Sequence, residues 1–236
     1  MSSGAVARAS QVQEVRAFRE NVEARREAAR AAREADAPKD PADKRRLSEE
    51  ARERLRAVVV DLFAEGLFHQ VGMREIAKRA GVGLATIYKY FGAKEDMVVA
   101  CLEPDLERLL QSLALASRCE VGAKRRTRAY LVAFVRFHLE NPQLAEIVHL
   151  NTPAKLWAEA EGGLMRDQRA VLAEILRHGV REKSVRGDIS VDEIVDLVAG
   201  AMRQFILRVI EDGSNEADPD AEGERLFAAV WPMVSA

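Results

Sequence analysis

Met73-Arg-Glu-Ile-Ala-Lys-Arg-Ala-Gly-Val-Gly-Leu-Ala-Thr-Ile-Tyr-Lys-Tyr-Phe-Gly-Ala-Lys-Glu-Asp-Met97 is the most informative stretch of the chain. Ile76 and Ala77 face inward from a short helix predicted over Met73–Ala80. Gly81 permits a sharp turn after it, and Val82 plugs the space beneath that turn. Ile87 and Phe91, four apart, anchor a second short helix over Leu84–Phe91. That leaves Leu84, Ala85, Thr86, Tyr88, Lys89 and Tyr90 largely outward. Small, hydroxyl and cationic side chains on a short projecting helix suit the major groove of DNA. Ala and Thr meet thymine methyls, Lys reaches guanine O6/N7, and Tyr hydroxyls reach phosphate. The pair is predicted to be a helix-turn-helix over about 73–91, with its second helix as the reader.

Upstream, Ser48 caps a helix whose first turn carries Glu49, Glu50 and Glu53. Leu55, Val58, Val59, Leu62 and Phe63 follow at spacings of three and four, and Gly66 ends it. Downstream, a helix over Lys94–Ala116 carries Val98, Leu102, Leu106, Leu109 and Leu113 on one face. Pro104 lies inside it and is expected to kink it or start a new segment.

From Ser48 to Leu110 the residues resemble the DNA-binding domain of TetR-family transcriptional regulators. The similar features are Leu62-Phe63-Ala64 before Gly66, Arg74-Glu75-Ile76-Ala77, Ala80-Gly81-Val82, Thr86-Ile87-Tyr88-Lys89-Tyr90-Phe91, and Lys94-Glu95. The resemblance implies an all-α homodimer with a three-helix reader domain over 48–110. A helical ligand-binding and dimerisation domain follows over 111–236. It implies that Thr86, Tyr88 and Lys89 touch bases or backbone, and that Tyr90 and Lys94 touch phosphate. Gly83, Leu84 and Ala85 belong to the same candidate surface. Two positions depart from the usual pattern: Gly72 stands where the family usually has Thr, and Gly83 where it commonly has a capping Ser. Glycine caps cost only a few tenths of a kcal/mol against Ser, but a hydroxyl–phosphate contact is lost. Residues 1–46 form a basic extension and linker, 11 Lys/Arg against 8 Asp/Glu, closed by a Pro-containing break before Lys44-Arg45-Arg46. Arg45 and Arg46 are candidate DNA contacts from this arm.

The C-terminal part reads as helices throughout: Gly122–Glu140, 143–150, a short piece around Trp157, Leu164–Lys183, Val191–Ile210 and Glu222–Met233. Ser190 and Glu193 form a capping box. Phe134, His149, Trp157, Met165 and Met202 are candidate contacts to a bulky, largely apolar ligand. The resemblance places a four-helix dimer interface on Leu164–Lys183 and Val191–Ile210, where Val171, Ile175, Val198 and Phe205 are candidates. A dimer would carry its readers about 34–36 Å apart, or wider, on a palindromic operator. Release by ligand, through the helix Lys94–Ala116, makes repression the expected outcome.

Composition excludes much else. The 236 residues carry 36 Lys/Arg and 38 Asp/Glu, and hydrophobic residues make up 48%. The longest apolar runs are six residues, such as Tyr130–Val135, far short of the about 20 that cross a membrane. Met1–Ser10 has no leader pattern, and two Cys do not make a disulfide scaffold, so a cytoplasmic protein is expected. Gly81-Val82-Gly83 lacks the third Gly of a dinucleotide loop, and no GxSxG, HExxH or phosphate loop occurs. His138, His149 and Cys119 match no metal framework, so neither metal nor cofactor is expected. The rival readings are a DNA-binding regulator switched by a partner protein or architectural in role, and a helical enzyme of unrecognised type.

Overall fold

The computed structural model describes residues 47–159, 163–212 and 217–236. The extension 1–46, with Arg45 and Arg46, lies outside the described residues. The described residues hold ten α-helices and one π-helical turn. Helix α1 runs Glu49–Glu65, α2 Met73–Ala80, α3 Leu84–Phe91 and α4 Lys94–Arg118. Then come α5 Ala123–Glu140, α6 Pro142–Glu146, the π-turn Ile147–Asn151 and α7 Ala154–Glu159. Helices α8 Leu164–Arg181, α9 Val191–Glu211 and α10 Pro219–Val234 complete the chain.

The caps follow side-chain chemistry. Ser48 Oγ accepts from the Ala51 amide at 3.2 Å. Ser190 and Glu193 close α9 reciprocally, as the capping box predicts. Gly81 sits at φ 63°, ψ 31°, the left-handed region, and Val82 N donates back to Ala77 O at 3.1 Å. Pro104 does not start a new segment: α4 continues through it, with the ring at an exposed position. The helix expected over 143–150 is instead α6 followed by the π-turn. Thr152 N reaches back five residues to Ile147 O at 3.2 Å, and the Thr152 hydroxyl donates to the same carbonyl.

Ile76, Ile87, Leu55, Val59 and Phe63 are fully buried where α1, α2 and α3 meet. This apolar cluster continues without a break into Met97 and Leu102 of α4 and on to Leu144, Ile147 and Trp157. The helix-turn-helix therefore shares its core with the segment that follows α5. Farther on, α10 lies so close to α5 that a Cβ on Gly223 would stand 2.7 Å from Val132 Cα. The chain end is tied to the α8–α9 connection, with Arg186 N donating to Val234 O at 2.9 Å.

Candidate nucleic-acid interface and helical cavity

Ile87 is fully buried and fixes the rotation of α3. Ala85, Tyr88 and Lys89 consequently face solvent, and Tyr88 is 49% exposed. Gly83 is exposed at the start of the helix. Leu84, Thr86 and Tyr90 are half-buried, and Leu84 and Tyr90 pack against the core, so their outward reach is smaller than helical spacing alone predicts. Residues 73–93 carry four Lys/Arg (Arg74, Lys78, Arg79, Lys89) and one acidic residue, Glu75, a net of 4 − 1 = +3. Arg79 is paired with Glu75 at 3.0 Å. A cationic surface around a projecting short helix is the electrostatic footprint of a duplex partner.

Lys94 occupies a different environment from the one the resemblance implies. Its Nζ donates to Phe68 O at 2.6 Å and Val71 O at 3.0 Å, and it stands 4.2 Å from the Phe68 ring centroid. Burial lowers its pKa, partly offset by Glu95. Two of its three donors thus close the α1–α2 connection from the start of α4. No side chain caps α2 or α3, at Gly72 and Gly83.

Phe134, His149, Trp157, Met165 and Met202 come together in one cavity of about 610 Å³. They arrive from α5, the π-turn, α7, α8 and α9, and Tyr130, His138 and Thr152 join them. His138 Nδ1 lies 2.8 Å from Phe134 O, and His149 Nε2 lies 3.0 Å from His138 Nε2. A carbonyl only accepts, so His138 Nδ1 carries its proton and His138 Nε2 a lone pair. His149 Nε2 must then donate. Burial pulls His138 down to about 4, against the raising effect of the Phe134 bond. Burial first, then His138 and Arg203, lowers His149 as well. Both rings are neutral at physiological pH. Trp157 Nε1 donates to Thr152 Oγ1 at 2.8 Å, and Tyr130 Oη to Gln168 O at 3.2 Å.

The cavity wall is joined to the reader domain. Arg203 donates to His149 O at 2.9 Å. Two residues on, Asn151 Nδ2 donates to Phe63 O and Ala64 O, and Phe68 N donates to Asn151 O at 2.8 Å. A second tie crosses from α1 to α4, where Arg56 meets the buried Asp105 at 2.6 Å. Nothing in the sequence around Asn151 signals a contact to residues 87 and 88 positions earlier.

Of the candidate dimer residues, Ile175 and Val198 are fully buried within the chain and Val171 nearly so. These three pack α8 and α9 into the protomer's own core. Phe205 is half-buried, with the Arg208 guanidinium 4.8 Å from its ring centroid. Leu197, Gly200 and Gln204 lie on the exposed face of α9, flanked by Asp196 and Arg203. Among the described residues no group of His, Cys, Asp or Glu is placed to hold a metal ion, and no helix is long and apolar enough to cross a membrane.

These features define a helix-turn-helix protein with a helical cavity behind its reader. Residues 57–101 match the family "Bacterial regulatory proteins, tetR family". It is 32% identical over 89 residues to the HTH-type transcriptional activator FasR of Mycolicibacterium smegmatis, covering 38% of this chain and 41% of FasR. The chain thus spans about two fifths of the length of that curated relative. Its fold is similar to that of the transcriptional regulator FadR from Bacillus subtilis in complex with stearoyl-CoA. There the TM-score is 0.64 at 18% identity, over 75% of this chain and 96% of that one. It is also similar to the ketosteroid transcriptional regulator KstR2 of Mycobacterium tuberculosis, with TM-score 0.59 at 18% identity, over 80% of this chain and 97% of that one.

Proposed function

We propose that this chain is a homodimeric, sequence-specific transcriptional regulator of the cytoplasm, and not an enzyme. Two α3 helices read a palindromic operator, and a bulky, largely apolar ligand in the cavity releases it, so that the protein acts as a repressor. Thr86, Tyr88 and Lys89 make the base and backbone contacts, with Ala85 against thymine methyls. The exposed stripe Leu197, Gly200 and Gln204 on α9 meets the same stripe of the partner, where Gly200 lets the two backbones approach.

The observation that carries this reading is the Asn151 clamp. One five-residue turn lines the cavity through His149 and holds the end of α1 through Asn151. A ligand that moves the turn changes how α1, and the reader packed on it, is held. Such a ligand shifts the spacing of the two readers only by favouring one position over the other. The acyl-CoA bound to FadR and the ketosteroid in the name of KstR2 support a bulky apolar ligand class.

Selection of bound duplexes from a random pool tests the proposal, using wild type and Tyr88→Ala/Lys89→Ala. A two-fold symmetric site recovered only by wild type is expected. The same loose enrichment with both proteins would sink the assignment of α3 as reader.

A further inference from the structure

The cavity has five buried polar side chains: Tyr130, His138, His149, Thr152 and Trp157. Each spends every hydrogen it can donate inside the wall. Tyr130 gives its hydroxyl proton to Gln168 O, Trp157 its indole N–H to Thr152 Oγ1, and Thr152 its hydroxyl proton to Ile147 O. His138 gives Nδ1–H to Phe134 O, and His149 gives Nε2–H to His138 Nε2. In a neutral imidazole one protonated nitrogen leaves the other as an acceptor. The tautomer chain, anchored on a backbone carbonyl, therefore ends in a lone pair on His149 Nδ1. What the buried wall offers is acceptors.

We infer that the cavity selects a ligand whose buried part is a bulky apolar body bearing one neutral hydrogen-bond donor, a hydroxyl or N–H, received by His149 Nδ1. The inference rests on reading the cavity as a ligand site. A molecule with only carbonyl or ether oxygens sets lone pair against lone pair at this position and leaves a buried acceptor unmet. A buried carboxylate does the same and is charged as well. The cations of the lining, Arg166, Arg169 and Arg203, are exposed; Arg169 is engaged with Asp196 and Arg203 with His149 O. An anionic extension of the ligand belongs at that edge, outside the buried wall.

The test uses the full chain carrying Trp231→Phe, which leaves Trp157 as its one tryptophan. Its fluorescence is titrated with decan-1-ol and with 1-methoxydecane, which keeps the oxygen and removes the donor. The alcohol is expected to bind about tenfold more tightly than the ether. His138→Phe with His149→Leu, which removes His149 Nδ1 without baring the His138 Nε2 lone pair, is expected to weaken the alcohol to the level of the ether. Equal binding of the two by the protein with His149 intact overturns the inference but leaves the cavity as a ligand site. So does a preference that survives in the double variant. The comparison with His149 present stands even if the double variant misfolds. If neither probe perturbs Trp157 or raises the melting temperature, both the inference and the ligand site fall.

Discussion

The side-chain amide of Asn151 donates both its hydrogens to consecutive carbonyls at the end of α1, Phe63 O at 3.0 Å and Ala64 O at 2.7 Å. The last carbonyls of a helix have no partner within it, and here a residue from the cavity wall supplies the donors. The cavity wall and the helix-turn-helix therefore share this side chain. Asn151→Ala is expected to lower stability by about 1–3 kcal/mol. Asn151→Asp, of the same shape but with only acceptors facing two carbonyls, is expected to cost more than Ala. Urea unfolding midpoints decide it, and equal midpoints for the three proteins would refute the clamp.

Lys94 and Lys89 allow a structural cation to be told from a proposed DNA contact. Lys94→Met keeps the stem on Phe68 and removes the ammonium from Phe68 O and Val71 O. A stability loss of about 1–2 kcal/mol is expected, with the salt dependence of DNA binding unchanged. Lys89→Met is expected to reduce the slope of log K against log salt by about 0.9 per protomer. The reversed pattern would mean that Lys94 is the phosphate contact.

The buried histidine pair makes stability depend on pH with a definite sign. In the unfolded chain each ring takes a proton near its ordinary 6.5, whereas His138 in the folded protein holds off until about 4 and His149 is lowered in the same direction. Between those values the unfolded state binds more protons, so stability falls as the pH falls from about 6.5 toward 4. Each ring contributes up to about 1.4 kcal/mol per pH unit. Replacing both by apolar residues, His138→Phe with His149→Leu, is expected to flatten this slope. A slope unchanged in the double variant would place its origin elsewhere.

Gly223 marks a close approach of α10 to α5. A methyl there meets Val132 Cα at 2.7 Å, a backbone atom that cannot swing aside. Gly223→Ala is expected to destabilise by about 1–3 kcal/mol, although alanine is the better helix former. A raised melting temperature would show that the two helices have room to separate.

Much of the reader was legible because it is local. Ile76, Val82 and Ile87 announce their burial through spacing, and Gly81 announces a turn that its φ of 63° requires. The five candidates for a bulky apolar ligand, Phe134, His149, Trp157, Met165 and Met202, line one cavity. Periodicity could not tell an inward face packed on the chain itself from one packed on a partner. Val171, Ile175 and Val198 looked alike on either reading, and they are buried within the protomer.

The sequence by itself determined the all-helical class, the helix-turn-helix and the face α3 turns outward, because caps, turns and 3.6-residue periodicity act between near neighbours. Only the tertiary structure decided where Lys94 spends its donors, that His138 and His149 share a proton chain, and that Asn151 closes α1. Those contacts join residues 11 to 88 positions apart. A donor there is assigned by which carbonyl the packing of whole helices brings within 3 Å, and no local pattern carries that information.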